Sequence, residues 1–120
     1  MSGARWLPAL LWLALVLTLT SIPNPNVPVS LAGGDKVAHA IMYGVLAALV
    51  AFAVDVGGRN VGRLGVTFVG IAALAAADEH HQRFIPGRAA SMADWIADSA
   101  GAATTLLATA AVWQRRETAR

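Results

Sequence analysis

Four long apolar segments follow one another along the 120-residue chain, separated by short polar or proline- and glycine-rich stretches. The segments cover residues 6–22, 37–54, 61–79 and 91–113, and none of them alternates polar and apolar positions as a half-buried strand would. Each segment is close to the length of about 20 residues that an α-helix needs to cross the hydrocarbon core of a bilayer. The pattern therefore predicts four helices in a single domain, residues 1–120, and no strands.

The composition favours a membrane environment for these helices over a soluble bundle. Hydrophobic residues make up 57 % of the chain and charged residues only 13 %, whereas a soluble domain carries about 25 % charged residues. The net charge of +2 gives no electrostatic indication of nucleic-acid binding. The absence of cysteine excludes disulfides, thiol catalysis and thiolate metal sites. The first segment is not followed directly by a small-residue cleavage site, which favours an uncleaved span over a signal peptide. We therefore predict an all-α fold, an integral membrane four-helix bundle.

The positions of the basic residues predict the orientation of the bundle. If the N-terminus is cytoplasmic, six arginines flank the inner ends of the helices and three basic residues flank the outer ends, in agreement with the positive-inside rule. The inner set is Arg5, Arg59, Arg63, Arg115, Arg116 and Arg120, and the outer set is Lys36, Arg83 and Arg88. Both termini are therefore predicted to be cytoplasmic.

In this orientation most polar side chains lie at the outer face, at the starts of the second and fourth helices and at the end of the third. A spacing of four residues places Asp35, His39 and Tyr43 on one face of the second helix. The same spacing places Asp94 and Asp98 on one face of the fourth helix. A charged side chain that faces lipid is costly, so these faces should turn towards the bundle interior. The candidate site residues are Asp35, Lys36, His39, Tyr43, Asp78, Glu79, Gln82, Arg88, Asp94 and Asp98.

Several of these residues also have a structural interpretation. Asp94 follows Ser91 by three residues, which is the capping-box pattern. The alternatives for the others are a helix cap for Asp35, head-group contact for Lys36, packing for Tyr43, a terminal hydrogen bond for Gln82 and a turn for Arg88. Asp98 and His39 differ from these because they lie inside apolar helices with no local cap to serve, so a functional role is favoured for both.

Three sequence elements, in order along the chain, resemble the VanZ-like family of small bacterial membrane proteins. The elements are Asp35-Lys36-x-x-His39-x-x-x-Tyr43, Asp78-Glu79-x-x-Gln82-x-Phe84-x-Pro86-Gly87-Arg88 and Ser91-x-x-Asp94-x-x-x-Asp98-x-x-Gly101. The resemblance covers residues 35–101, and its middle element is the most specific. It implies a location in the bacterial cell membrane and a relation to lowered susceptibility to the glycopeptide teicoplanin. It implies the fold and the location more firmly than a molecular activity.

The first functional hypothesis is binding or modulation of a lipid head group or a lipid-linked cell-wall precursor at the outer face. Lys36 and Arg88 would contact phosphate, Arg88 through a bidentate fork. The carboxylates would orient Arg88 and His39, and no bond would be broken. The ligand-binding residues under this hypothesis are Lys36, Tyr43, Asp78, Glu79, Gln82, Arg88 and Asp94.

The second hypothesis is a membrane-embedded hydrolase of a lipid phosphate. Asp35 and His39 would form an acid–base pair, with Asp98 as a third candidate catalytic residue. Glu79, Asp94 and Asp98 are candidate ligands of a divalent cation, Mg²⁺ or Mn²⁺. The cation would neutralise charge on the phosphate and activate water.

A third hypothesis is a small transporter that relays protons through Asp98 and His39. Four helices are few for alternating access, and the sequence has no visible inverted repeat, so this function would require a homo-oligomer. The small residues Ala100, Gly101 and Ala102 would allow close helix contact within a chain or between chains.

Overall fold

The computed structural model describes residues 3–21, 34–54, 61–85 and 92–118, and these form four α-helices and no strands. A 3₁₀ turn, Gly3–Trp6, leads into α1 (Leu7–Thr20), which is followed by α2 (Gly34–Ala53), α3 (Val61–Gln82) and α4 (Met92–Thr118). The predicted all-helical architecture is confirmed. Helices α3 and α4 continue to Gln82 and Thr118, past their predicted ends at residues 79 and 113.

Two stretches in the described part of the chain are long and apolar enough to cross a membrane. They are Gly3–Thr20 and Lys36–Ala53, each 18 residues long. The other two helices carry more charge. Arg63 and Asp78 lie near the two ends of α3, while Asp94 and Asp98 occupy the first turns of α4.

Helix α1 has apolar residues on all sides and leaves most of its leucines exposed. Only Ala9, Val16 and Thr20 are buried in this helix. The leucines that are at least 37 % exposed are Leu7, Leu10, Leu11, Leu15, Leu17 and Leu19. Monomeric soluble proteins rarely expose a contiguous apolar surface of this kind. The exposed side of α1 is therefore typical of a surface that contacts an apolar environment.

Helices α2 and α4 pack so closely that their backbones touch. A Cβ atom added to Gly101 would lie 2.0 Å from the carbonyl oxygen of Ala40. One added to Gly44 would lie 3.0 Å from Thr105 Oγ1. Small residues at a helix interface permit this approach, and it brings the inner faces of α2 and α4 within hydrogen-bonding distance of each other.

The helix ends that carry polar residues lie together at one end of the bundle. The end of α1 contacts the end of α3 through Thr20 and Asp78, and the start of α2 contacts the start of α4 through Lys36 and Asp94. At the opposite end, Arg5 donates a hydrogen bond of 3.0 Å to the carbonyl oxygen of Phe52 and stacks over its ring. Consecutive helices therefore alternate in direction.

Two indole side chains fix the helices against one another between these ends. Trp12 Nε1 donates a hydrogen bond of 2.8 Å to the carbonyl oxygen of Met42, and Trp95 Nε1 donates one of 2.9 Å to that of Ala72. The first bond ties α1 to α2 and the second ties α4 to α3. Because each indole is partly buried, each N–H needs such a partner.

Candidate functional site

A group of buried polar side chains, which we call the polar cluster, lies at the end of the bundle where α2 and α4 begin and α3 ends. Its members are His39 and Tyr43 of α2, Asp78, Glu79 and Gln82 of α3, and Asp94 and Asp98 of α4, each at most 8 % exposed. The antiparallel arrangement brings these residues together although they are up to about 60 positions apart in the chain, since successive helices deliver opposite ends to the same side of the bundle.

His39 connects α2 to both aspartates of α4. Its Nδ1 lies 2.8 Å from Asp98 Oδ1, a hydrogen-bonding distance, and its Nε2 lies 4.0 Å from Asp94 Oδ2. Lys36, one turn earlier, places its Nζ 2.5 Å from Asp94 Oδ1. A carboxylate can only accept, so Nδ1 carries the proton in the contact with Asp98, and Nε2 is the ring nitrogen on the side of Asp94.

Asp98 is fully buried, with an exposed fraction of 0 %. Its Oδ1 is occupied by His39, but its Oδ2 has no hydrogen-bond partner among the described residues. A buried carboxylate oxygen without a donor is uncommon in folded proteins.

Asp78 joins three helices. Its Oδ1 accepts a hydrogen bond of 2.9 Å from Thr20 Oγ1, and its Oδ2 accepts one of 3.0 Å from the hydroxyl of Tyr43. On the next turn of α3, Gln82 Nε2 donates to Glu79 Oε1 at 3.3 Å. Thr20 was not among the predicted site residues, because one threonine at the end of an apolar segment carries no sequence signal of a distant carboxylate partner.

The polar cluster is rich in acidic groups. Four carboxyl groups, those of Asp78, Glu79, Asp94 and Asp98, accompany one lysine and one histidine among the described side chains. Like charges buried at short distance are unfavourable unless protons or a cation compensate them. One ligand atom from each of His39, Glu79 and Asp94 lies within 4.8 Å of the others, so these three residues have the spacing to hold a cation.

The structure brings together seven of the ten predicted site residues in the polar cluster and places Lys36 at its partly exposed rim. The Arg88 prediction and the side chain of Asp35 lie outside what the structure describes. The carboxylate that contacts His39 Nδ1 is that of Asp98, and the predicted acid–base pair of His39 with Asp35 lies outside the described side chains. His80 and His81 are exposed on the other side of α3.

The fold and the polar cluster define a small helical protein with ionisable side chains buried at one end of a bundle and two helices apolar enough for a membrane. The model of the VanZ/LLP1 family matches residues 6–113, and the chain belongs to this family. The resemblance to VanZ-like proteins inferred from the three sequence elements is thereby confirmed. No curated protein and no solved structure matches the chain significantly.

Proposed function

We propose that this VanZ/LLP1-family protein is a multi-pass protein of the bacterial cell membrane, with four spans and both termini in the cytoplasm. Two apolar helices and the exposed leucines of α1 support the membrane location. Helices α3 and α4 have 22 and 27 residues, long enough to accompany the two apolar helices across a bilayer. Their acidic residues face the polar cluster, and the positive-inside rule assigns that end to the outer face.

Fusions of reporter proteins test this topology. Green fluorescent protein fused after Arg120 is expected to fluoresce, and alkaline phosphatase fused at the same point to be inactive, because the C-terminus is cytoplasmic. In fusions within the connection between α1 and α2, green fluorescent protein is expected to be dark and alkaline phosphatase to be active. An active alkaline phosphatase after Arg120 would contradict the proposed orientation.

The function that the geometry supports best is binding of a phosphate-bearing lipid head group, or of a lipid-linked cell-envelope precursor, in the polar cluster. The observation that carries this proposal is the burial of seven polar side chains from three helices at one bundle end. Polar groups inside a membrane bundle are costly and mark functional sites. Lys36, whose side chain is 38 % exposed, can contact an anionic head group while Asp94 holds the ammonium in place.

A second function, hydrolysis of a lipid phosphate, is favoured by the contact between His39 and Asp98. Asp98 accepts the Nδ1 proton and holds the ring in one orientation, which leaves Nε2 to accept or deliver a proton. In this function Asp98 is the positioning residue of His39. Asp94 and Glu79 then lie on the side of the ring where a phosphate group would be attacked.

The two functions are separated by measuring binding and phosphate release in the same samples. Protein purified in detergent is mixed with polyprenyl phosphate, polyprenyl pyrophosphate or phosphatidylglycerol phosphate, and with the uncharged polyprenol as a control. Bound lipid is detected by native mass spectrometry, and inorganic phosphate is measured with and without Mg²⁺ or Mn²⁺. We expect binding of at least one phosphate lipid in preference to polyprenol, without release.

Matched variants identify the responsible groups. Lys36→Gln is expected to weaken phosphate-lipid binding about tenfold or more, because a charge-assisted hydrogen bond contributes about 1.5–3 kcal/mol. Arg63→Gln, which removes an exposed charge at the opposite end of the bundle, should have no effect. A different result would establish the hydrolase instead. In that case phosphate release depends on metal, His39→Ala abolishes the release, and His81→Ala preserves it. Neither binding nor release across the panel would contradict both functions.

A further inference from the structure

We infer that the polar cluster contains a site for one divalent transition-metal ion, bound by His39 Nε2 and by one carboxylate oxygen each of Glu79 and Asp94. This inference goes beyond the proposed function and does not rest on it, because the metal alone is the ligand. The three ligand atoms come from three different helices, α2, α3 and α4, and lie within 4.8 Å of one another. All three side chains are buried.

The distances are those of a site that a metal ion can close. Metal–nitrogen and metal–oxygen bonds are about 2.0–2.2 Å long, so two ligand atoms of one ion lie about 3.0–4.3 Å apart, depending on the angle at the metal. His39 Nε2 and Asp94 Oδ2 are 4.0 Å apart, within this range and beyond hydrogen-bonding distance. The ligand atoms of all three residues lie within 4.8 Å of one another, so closing the site around one ion needs a movement of at most about 0.5 Å, which rotation of a carboxylate supplies.

The contact between Asp98 and His39 prepares the ring for metal binding. Metal-ligating histidines almost always donate their other ring N–H to a carboxylate or carbonyl group, which fixes the tautomer and raises the basicity of the ligating nitrogen. Asp98 has this position, 2.8 Å from Nδ1. This is also why the ligand set differs from the predicted Glu79, Asp94 and Asp98: the Asp98 oxygen nearest His39 is already engaged by the ring N–H.

A second observation concerns the carboxylate that orients His39. Asp98 Oδ2 is fully buried and has no hydrogen-bond partner among the described residues, which is uncommon for a buried carboxylate oxygen. A divalent cation would be stabilised by the buried carboxylates of Glu79 and Asp94 without requiring either group to be protonated.

The chemistry of the ligands identifies the class of metal. One imidazole with two carboxylates suits Mn²⁺ or Zn²⁺ better than Mg²⁺, which is usually bound by oxygen ligands alone. Three protein ligands leave at least one coordination position open. An open position on a cation beside Lys36 is suited to a phosphate oxygen.

The test measures metal binding by the full-length, tag-free protein in detergent, without added lipid. After treatment with a chelator and its removal, the protein is dialysed against MnCl₂ or ZnCl₂, and bound metal is determined by mass spectrometry. We expect one ion per chain and a higher unfolding temperature in the presence of metal. Absence of stoichiometric metal in the wild-type protein would overturn the inference.

Variants determine whether the ion is bound at these residues. Glu79→Gln and His39→Gln are expected to weaken binding at least 100-fold, because each removes one of three ligands. Asp98→Asn, which affects only the orientation of His39, should weaken it about 10–100-fold. His81→Gln, an exposed histidine on the same helix as Glu79, should bind as the wild type does. Far-UV circular dichroism verifies that each variant is helical. Unchanged affinity in both Glu79→Gln and His39→Gln would overturn the assignment.

The outcome is distinguishable from that of the proposed function. Stoichiometric metal binding without any lipid binding would support the metal site and contradict the lipid function. Binding of a phosphate lipid by protein that takes up no Mn²⁺ or Zn²⁺ would support the lipid function and contradict the metal site.

Discussion

Gly101→Ala is expected to destabilise the protein by about 3 kcal/mol or more, at or above the upper end of the usual cost of overpacking. The added Cβ would lie 2.0 Å from the carbonyl oxygen, 2.7 Å from the carbonyl carbon and 2.8 Å from the Cα of Ala40. These are backbone atoms, so no side-chain rotation can relieve the overlap and α2 must move away from α4. That movement would also separate His39 from Asp98.

Gly65→Ala is the matched control for this substitution. Gly65 lies in α3, and an added Cβ there would meet nothing within 4 Å. Alanine is a better helix former than glycine by about 1 kcal/mol, so Gly65→Ala should be neutral or stabilising. Both variants are compared with the wild type by titrating the purified protein with SDS in mixed micelles and following helix content and tryptophan fluorescence. Equal stability of Gly101→Ala and Gly65→Ala would contradict the close contact between α2 and α4.

Asp98→Leu is expected to abolish any activity of the polar cluster and to lower the free energy of unfolding by about 3 kcal/mol. This value is at the lower end of the cost of breaking a buried ion pair, since the remaining imidazole can be neutral. The loss has two sources: the Nδ1 proton of His39 keeps no acceptor in a buried site, and leucine is larger than the fully buried aspartate that it replaces. Removing the Asp98 charge also relieves its repulsion with the other carboxylates, but this offsets only part of the loss in stability.

The neighbouring residue provides the control for Asp98→Leu. The hydroxyl of Ser99 is buried and has no hydrogen-bond partner among the described residues. Ser99→Ala should therefore keep or slightly raise stability, because it removes an unsatisfied polar group. The same SDS titration measures both variants. An Asp98→Leu protein as stable as the wild type, with unchanged metal affinity, would show that the contact with His39 is dispensable.

The helices themselves were predictable because each depends on a local property of the sequence. Each segment is far longer than a strand and does not alternate polar and apolar positions, and in lipid a long apolar segment can satisfy its own backbone polar groups only as a helix. The end of α3 was less accurately predicted. Asp78 and Glu79 resemble a helix terminus in sequence, but α3 continues to Gln82, since Thr20 and Tyr43 hold the Asp78 carboxylate inside the bundle.

Helical spacing was enough to predict the members of the polar cluster, but their pairings depend on how the helices pack in three dimensions. Spacing along one helix favoured Asp35 as a partner of His39, and the Asp35 side chain lies outside the described residues. The structure adds a partner that no local spacing could indicate, Asp98, 59 positions away and within hydrogen-bonding distance. The reason is physical. Neighbours on one helix face follow from the 3.6-residue period, whereas contacts between helices depend on how closely the helices pack, and Gly101 lets the backbones of α2 and α4 touch. Local spacing selects the residues that face inward, and the distance between helices selects the partners that they meet.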